Sequence, residues 1–210
     1  MTGRSHLVAG TASIPLADGL LHGLAATPVI NQLPQVTGLL TTYHGMFLQG
    51  DGFAKVIWIV ESILLFYIGT LLPDIDTGQS MIRKMTHTQS KSVNEDGHRT
   101  WTHSIWVILL LCVLAWKVPV CFWLLFGYAT HLFWDMWSAM GICLLYPFQT
   151  YRKYGTGAKV AKGHRAKLYH TGQASEYVLV GVICTVSIVV LFFCHARYWI
   201  EAVRLFVAGL

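Results

Sequence analysis

Charge is scarce in this chain. Asp, Glu, Lys and Arg make up 12% of its 210 residues, about half the roughly 25% of an ordinary soluble domain, while 54% of the residues are hydrophobic. That balance points to the bilayer. Positive charge is missing altogether from His6 to Ala54, so the loop 31–52 is bare of Lys and Arg. Paired cysteine motifs are absent: Cys112, Cys121, Cys143, Cys184 and Cys194 stand singly in or beside apolar stretches. They suggest neither a disulfide framework nor a thiolate metal site, and read as small buried hydrophobes. The stretch YGTGAKVAKGHR at 154–165 has glycines and bases but not the Gly-Lys-Ser/Thr ending of a P-loop. A flexible anchor to anionic lipid headgroups is expected there. The start, MTGRSH, has one basic residue and no clean apolar run behind it, which makes a poor cleaved signal peptide.

Long apolar runs are what the chain has. Residues 53–72, 101–118, 120–146 and 177–196 are each close to the roughly 20 residues that cross a bilayer core. A fifth run, His6 to Ile30, is interrupted by Pro15, Asp18, Gly19, His22 and Gly23, and reads as a broken or re-entrant helix. The expected fold is therefore all-α: a polytopic integral membrane helical bundle of about four to five transmembrane helices. It forms one domain over residues 1–210, without internal repeats. The tail 197–210 reads as an amphipathic interfacial helix with Tyr198 and Trp199 as belt residues.

Charge placement sets an orientation. Arg83, Lys84, Lys91 and Arg99 lie between the second and third spans, and Arg152, Lys153, Lys159, Lys162, Arg165 and Lys167 between the fourth and fifth. The short turn at Lys117–Pro119 returns the chain to one side, so both basic loops, together with Arg4, share a face. Lys55, Lys117, Arg197 and Arg204 fall on the other. The positive-inside rule makes the first face cytoplasmic, in a multi-pass protein. The net charge of +5 is then topological, and no nucleic-acid partner is expected.

Against this background the ionisable residues stand out. LLPDID holds Asp74 and Asp76, HRTWTHS holds His98 and His103, and GYATHLFWDMWSAMG holds His131 and Asp135. The topology carries all six to the cytoplasmic end of the bundle, along with His6 and Glu176. His131 and Asp135, four apart, project from one helical face; a plain His–Asp hydrogen bond is the bland alternative to shared metal ligation. His98 and His103 are five apart, too far for one face, with Thr102 as a plausible N-cap between them. Interfacial histidines wetted by headgroups are the alternative there. Arg99 is placed to clamp an anionic group such as phosphate. Carboxylate and imidazole without thiolate suits Zn²⁺, Mn²⁺ or Fe²⁺, and six ligands exceed the need of one tetrahedral zinc, so one or two ions are expected. Glu61, and the pair Asp18 and His22, lie nearer the other half of the bilayer.

Taken together, the N-terminal His of MTGRSHLVAG, LLPDID, HRTWTHS, GYATHLFWD with GICLLYPF, and TGQASE resemble the bacterial membrane-bound metal-dependent hydrolases of the YdjM-like, LexA-regulated type. The resemblance covers roughly residues 1–180. It implies a metal-ligand set of His6, Asp74, Asp76, His98, His103, His131, Asp135 and Glu176. Family members usually carry a Thr or Ser near the Pro or Gly after the aspartate; here WSAMG supplies Ser138. His131–Asp135 is also similar to the H-x-x-x-D element of zinc-dependent phospholipase C enzymes, with Glu176 as a later carboxylate.

The expected function is a cytoplasm-facing membrane hydrolase that cleaves a phosphoester of a lipid or lipid-linked substrate. A divalent metal, zinc before manganese or iron(II), activates water; Asp74 or Asp76 takes the proton; Arg99 holds phosphate oxygens. Acyl chains are expected to enter between spans three and four along Trp123, Trp134 and Trp137. The alternatives are a divalent-metal transporter using the same cluster, with Glu61, Asp18 and His22 as its onward route, and a structural protein with a purely stabilising metal.

Overall fold

The computed structural model describes residues 2–25, 52–76, 101–149, 151–153, 159–161 and 166–208. Helix α1 runs Gly3–Ala25 and α2 runs Gly52–Leu71. Pro73 disfavours helical geometry at the residue before it, and the chain tightens into a 3-10 turn over Leu72–Asp76. A second 3-10 turn, Trp101–His103, leads into α3 (Ile105–Lys117). The turn Pro119–Cys121 reverses the chain into α4 (Phe122–Met136), and α5 occupies Ala174–Ala208. Between α4 and α5, strands β1 (Tyr151–Lys153) and β2 (Lys159–Ala161) pair antiparallel, Tyr151 opposite Ala161.

Helix α4 is the hub. On one side it meets α2 with backbones in contact: a methyl group on Gly127 would collide with the Phe66 carbonyl, and one on Gly69 with the Leu124 carbonyl. Small residues allow such approach between apolar helices. On a second side Leu111 of α3 packs with Tyr128, Leu132 and Ile142. On a third, Ala9 of α1 and Ile183 of α5 pack with Trp134 and Tyr169. Polar ties cross this last seam: Trp134 Nε1 donates to Ser13 Oγ at 2.9 Å, and Ser187 Oγ donates to the Ala12 carbonyl.

The distribution of polarity is inverted relative to a soluble protein. His6, Thr70, His103, His131, Asp135 and Glu176 are buried, whereas Val60, Leu64, Leu110, Val113, Val178, Val182 and Phe193 are exposed. Among the described residues two helical stretches, Val56–Ile75 and Ala174–Phe193, are long and apolar enough to cross a membrane, and only 28% and 17% of them are buried. A core helix of a soluble protein would be mostly buried. The chain is a mostly helical membrane protein.

Four expectations need correcting. First, α1 continues through Pro15 instead of breaking there; a proline is tolerated where neighbouring helices cover the backbone. Second, the run 120–146 does not form one helix. Ser138 Oγ donates to the Asp135 carbonyl and the Gly141 N–H donates to Ser138 Oγ, while Gly141 takes the left-handed φ of 67° that glycine adopts readily. The following apolar residues turn back, and the Leu144 carbonyl accepts the Ile105 N–H at 2.8 Å, satisfying a donor that a helix start leaves open. Third, the cap of α3 is Ser104, not Thr102. Fourth, the tail from 197 to 208 is continuous with α5, whose 35 residues reach about 52 Å, beyond a hydrocarbon core of about 30 Å.

Candidate metal centre

Three helix ends converge on α4. His131 and Asp135 stand one turn apart on its buried face. His6 comes from the first turns of α1, Asp74 from the 3-10 turn after α2, and His103 from the 3-10 turn before α3. The sequence folds this way locally because Pro73 ends α2 just before Asp74, and because Ser104 Oγ donates to the Trp101 carbonyl at 2.8 Å, closing the turn that holds His103. Tyr128 OH donates to the Thr102 carbonyl, tying that turn to α4.

The ring nitrogens point at the carboxylates. Asp135 stands between the histidines: Oδ1 is 3.2 Å from His6 Nε2, and Oδ2 is 3.5 Å from His103 Nε2 and 3.7 Å from His131 Nε2. Asp74 Oδ1 lies 3.6 Å from His131 Nε2 and 4.0 Å from His103 Nε2. The His6 and His131 rings stack with centroids 3.7 Å apart. Two overlapping ligand groups result, His6–His131–Asp135 and Asp74–His103–His131, sharing His131. His6, His103, His131 and Asp135 are buried; Asp74, with a side chain 16% exposed, forms the open edge.

Hydrogen bonds behind the rings set their orientation. The Thr70 carbonyl, which can only accept, lies 2.7 Å from His131 Nδ1, so Nδ1 carries a proton, and in the neutral tautomer Nε2 is the lone pair. Thr102 Oγ1 is 3.0 Å from His103 Nδ1. Such outer partners are how ligating imidazoles are commonly held.

The donor set fits a divalent ion. Among the described residues His131 Nε2 is buried with no hydrogen-bond partner, facing two carboxylates. Ligands each roughly 2.1 Å from a common ion are themselves about 3–4 Å apart, and the pairs above span 3.2–4.0 Å. Buried carboxylates are costly without a compensating cation, and imidazole with carboxylate suits zinc, manganese or iron(II).

Of the eight expected ligands, the structure brings together five: His6, Asp74, His103, His131 and Asp135. The Asp76 side chain, and all of His98 and Arg99, lie outside the described residues, as do the side chains of Asp18 and His22. Glu176 lies outside both ligand groups; its Oε1 accepts from the Thr2 N–H and its Oε2 from the Gly172 N–H. The expected acyl route along Trp134 and Trp137 is also corrected. Both pack toward α1 and α5; Trp134 is two residues beyond Leu132, which faces α3, and so lies on the opposite side of the helix. Thr70 and the glycines at 69 and 127 escaped sequence reasoning; small residues within apolar spans were the available signal.

The family described as YdjM inner membrane protein matches residues 1–200. Uncharacterized protein YvsG of Bacillus subtilis (strain 168) is 36% identical over 85 residues, which are 38% of this chain and 53% of that relative. The match thus spans about half the length of that relative. No solved structure matches the chain. With its buried His/Asp cluster and two apolar spanning helices, the chain belongs to the YdjM inner membrane protein family.

Proposed function

We propose that this chain is a multi-pass membrane hydrolase, dependent on one or two divalent ions, that cleaves a phosphoester of a lipid or lipid-linked substrate at the cytoplasmic face. The observation that carries the reading is the convergence of three imidazoles and two carboxylates with, among the described residues, a partly open edge at Asp74. A fully closed cluster would suit a structural ion; an open edge suits a site that admits water and substrate.

His6, His103, His131, Asp74 and Asp135 would hold the ion. The chemistry it supplies there is Lewis-acid polarisation of a phosphoryl oxygen and acidification of water. The rest falls to the chain. Asp74, nearest solvent, or Asp76 accepts the proton of the attacking water as general base. Arg99 holds the non-reacting phosphate oxygens and balances charge developing on them. Asp135, enclosed by three imidazoles, keeps the rings aimed inward. The HxxxD element of α4, similar to that of zinc-dependent phospholipase C enzymes, is consistent with this chemistry.

A lipid substrate is favoured by depth. Asp74 lies within the last two residues of the spanning stretch Val56–Ile75, which puts the open edge at the headgroup layer. Exposed Ile75, Trp101 and Phe148, the last 82% exposed, belong to the same end of the bundle, with the Trp101 and Tyr146 ring centroids 5.1 Å apart. Aromatic residues of this kind settle at the membrane–water boundary.

A divalent-metal carrier is less well supported. It needs a polar route onward from the cluster, and Glu61 is exposed on α2 beside Val60 and Leu64. Among the described residues, buried Phe66 and Tyr128 and the α2–α4 backbone contact at Gly69 and Gly127 pack the interior beside the cluster; the side chains of Asp18 and His22 lie outside them. Mass spectrometry of membrane lipids incubated with purified protein, with and without a chelator, tests the proposal. A phosphorylated or dephosphorylated lipid product that disappears with chelator is expected; unchanged lipids in both arms refute the hydrolase.

A further inference from the structure

We infer that Glu176 is a positioning residue for His6, acting through the first turn of α1, and not itself a ligand of the ion; this rests on the metal-centre reading above. Glu176 is fully buried at the start of α5. Its Oε1 accepts from the Thr2 N–H at 2.7 Å and from Thr2 Oγ1 at 3.1 Å. Its Oε2 accepts from the Gly172 N–H at 2.6 Å. Three of the about four lone-pair directions of a carboxylate are thus turned to the chain, and Glu176 belongs to neither ligand group.

The link to His6 is direct. The Thr2 carbonyl accepts the His6 N–H at 2.9 Å, the first bond of the helix. Thr2 Oγ1 lies 2.9 Å from Ser5 Oγ and accepts the Ser5 N–H at 3.4 Å, the geometry of an N-cap. Glu176 therefore grips the cap of α1, and the cap hydroxyl in turn meets Ser5, the residue preceding His6. Helix α1 has no acidic residue in its own first turn, so Glu176 supplies from α5 the negative charge that a helix N-terminus favours. These bonds are charge-assisted and hence strong. They fix the axial position and rotation of the turn that delivers His6 Nε2 to within 3.2 Å of Asp135 Oδ1.

A double-mutant cycle in metal affinity tests this. Zn²⁺ affinity is measured by chelator competition for the wild type, Glu176→Gln, His6→Ala and the double variant, with a melting temperature for each. Glu176→Gln should weaken Zn²⁺ binding about 10- to 100-fold, as loss of an outer partner does. In the His6→Ala background the same substitution should change affinity less than about twofold, because its effect travels through His6. Thr2→Val, which leaves α5 untouched, should weaken Zn²⁺ binding in the same direction and lose that effect in His6→Ala. Equal losses in both backgrounds would make Glu176 an independent ligand and overturn the inference. A lowered melting temperature with unchanged affinity would make it a fold residue only, overturning it equally. The wild-type arm stands apart: no Zn²⁺ binding there removes the metal centre itself.

Discussion

The backbone carbonyl of Thr70 in α2 fixes the imidazole of His131 in α4, 2.7 Å from its Nδ1. The bond exists because the two helices approach until their backbones touch at Gly69 and Gly127. Helix packing and ligand orientation are thus one event, and the residue that orients His131 does so with an atom no substitution of its side chain removes.

Gly127→Ala should expose this dependence. The added methyl meets the Phe66 carbonyl, backbone that cannot swing aside, and overpacking of this kind costs about 1–3 kcal/mol. Thermal unfolding in detergent should fall accordingly, and Zn²⁺ affinity should fall with it as Thr70 and His131 separate. Unchanged affinity in a destabilised variant would show that the Thr70 bond does not set the ring.

Removing metal should destabilise the protein. The buried Asp135 stands between His6, His103 and His131, where a cation would offset its charge. A ligand that binds the folded state at about 100 times its Kd contributes about 2.7 kcal/mol. Chelator should therefore lower the melting temperature, and added Zn²⁺ or Mn²⁺ should restore it. A melting curve indifferent to both would speak against a metal in the core.

Orientation follows from basic residues gathered in the loops 73–100 and 149–176. Single cysteines at Ser90 and Thr156 should resist impermeant thiol reagents in intact cells and react in inverted vesicles. Labelling from outside would invert the topology.

The site was more legible in the sequence than the fold. His131 and Asp135 share a helix face by spacing alone, and Asp74 and His103 stand at the mouths of apolar runs, where ionisable groups are conspicuous. Packing was not legible. The run 120–146 reads as one span because hydropathy cannot separate residues that face lipid from Ile142 and Cys143, which are fully buried beside α3. Pro15 reads as a break because the helices that cover it come from far along the chain. The bonds of Glu176 to Thr2 and Gly172 were not legible either, because sequence shows its position at the start of α5 but not its donors. Trp134 offers no sign of which neighbour its face meets, and it meets Ser13.

Asp135 decides between ligand and packing residue, and elemental analysis of the purified wild type and Asp135→Asn is the measurement that decides most directly. Asn preserves shape and one oxygen acceptor but removes the charge. The wild type should carry about one to two equivalents of a first-row divalent metal, while a folded Asp135→Asn loses most of it. A metal-free wild type, or a fully loaded Asp135→Asn, would contradict the metal centre.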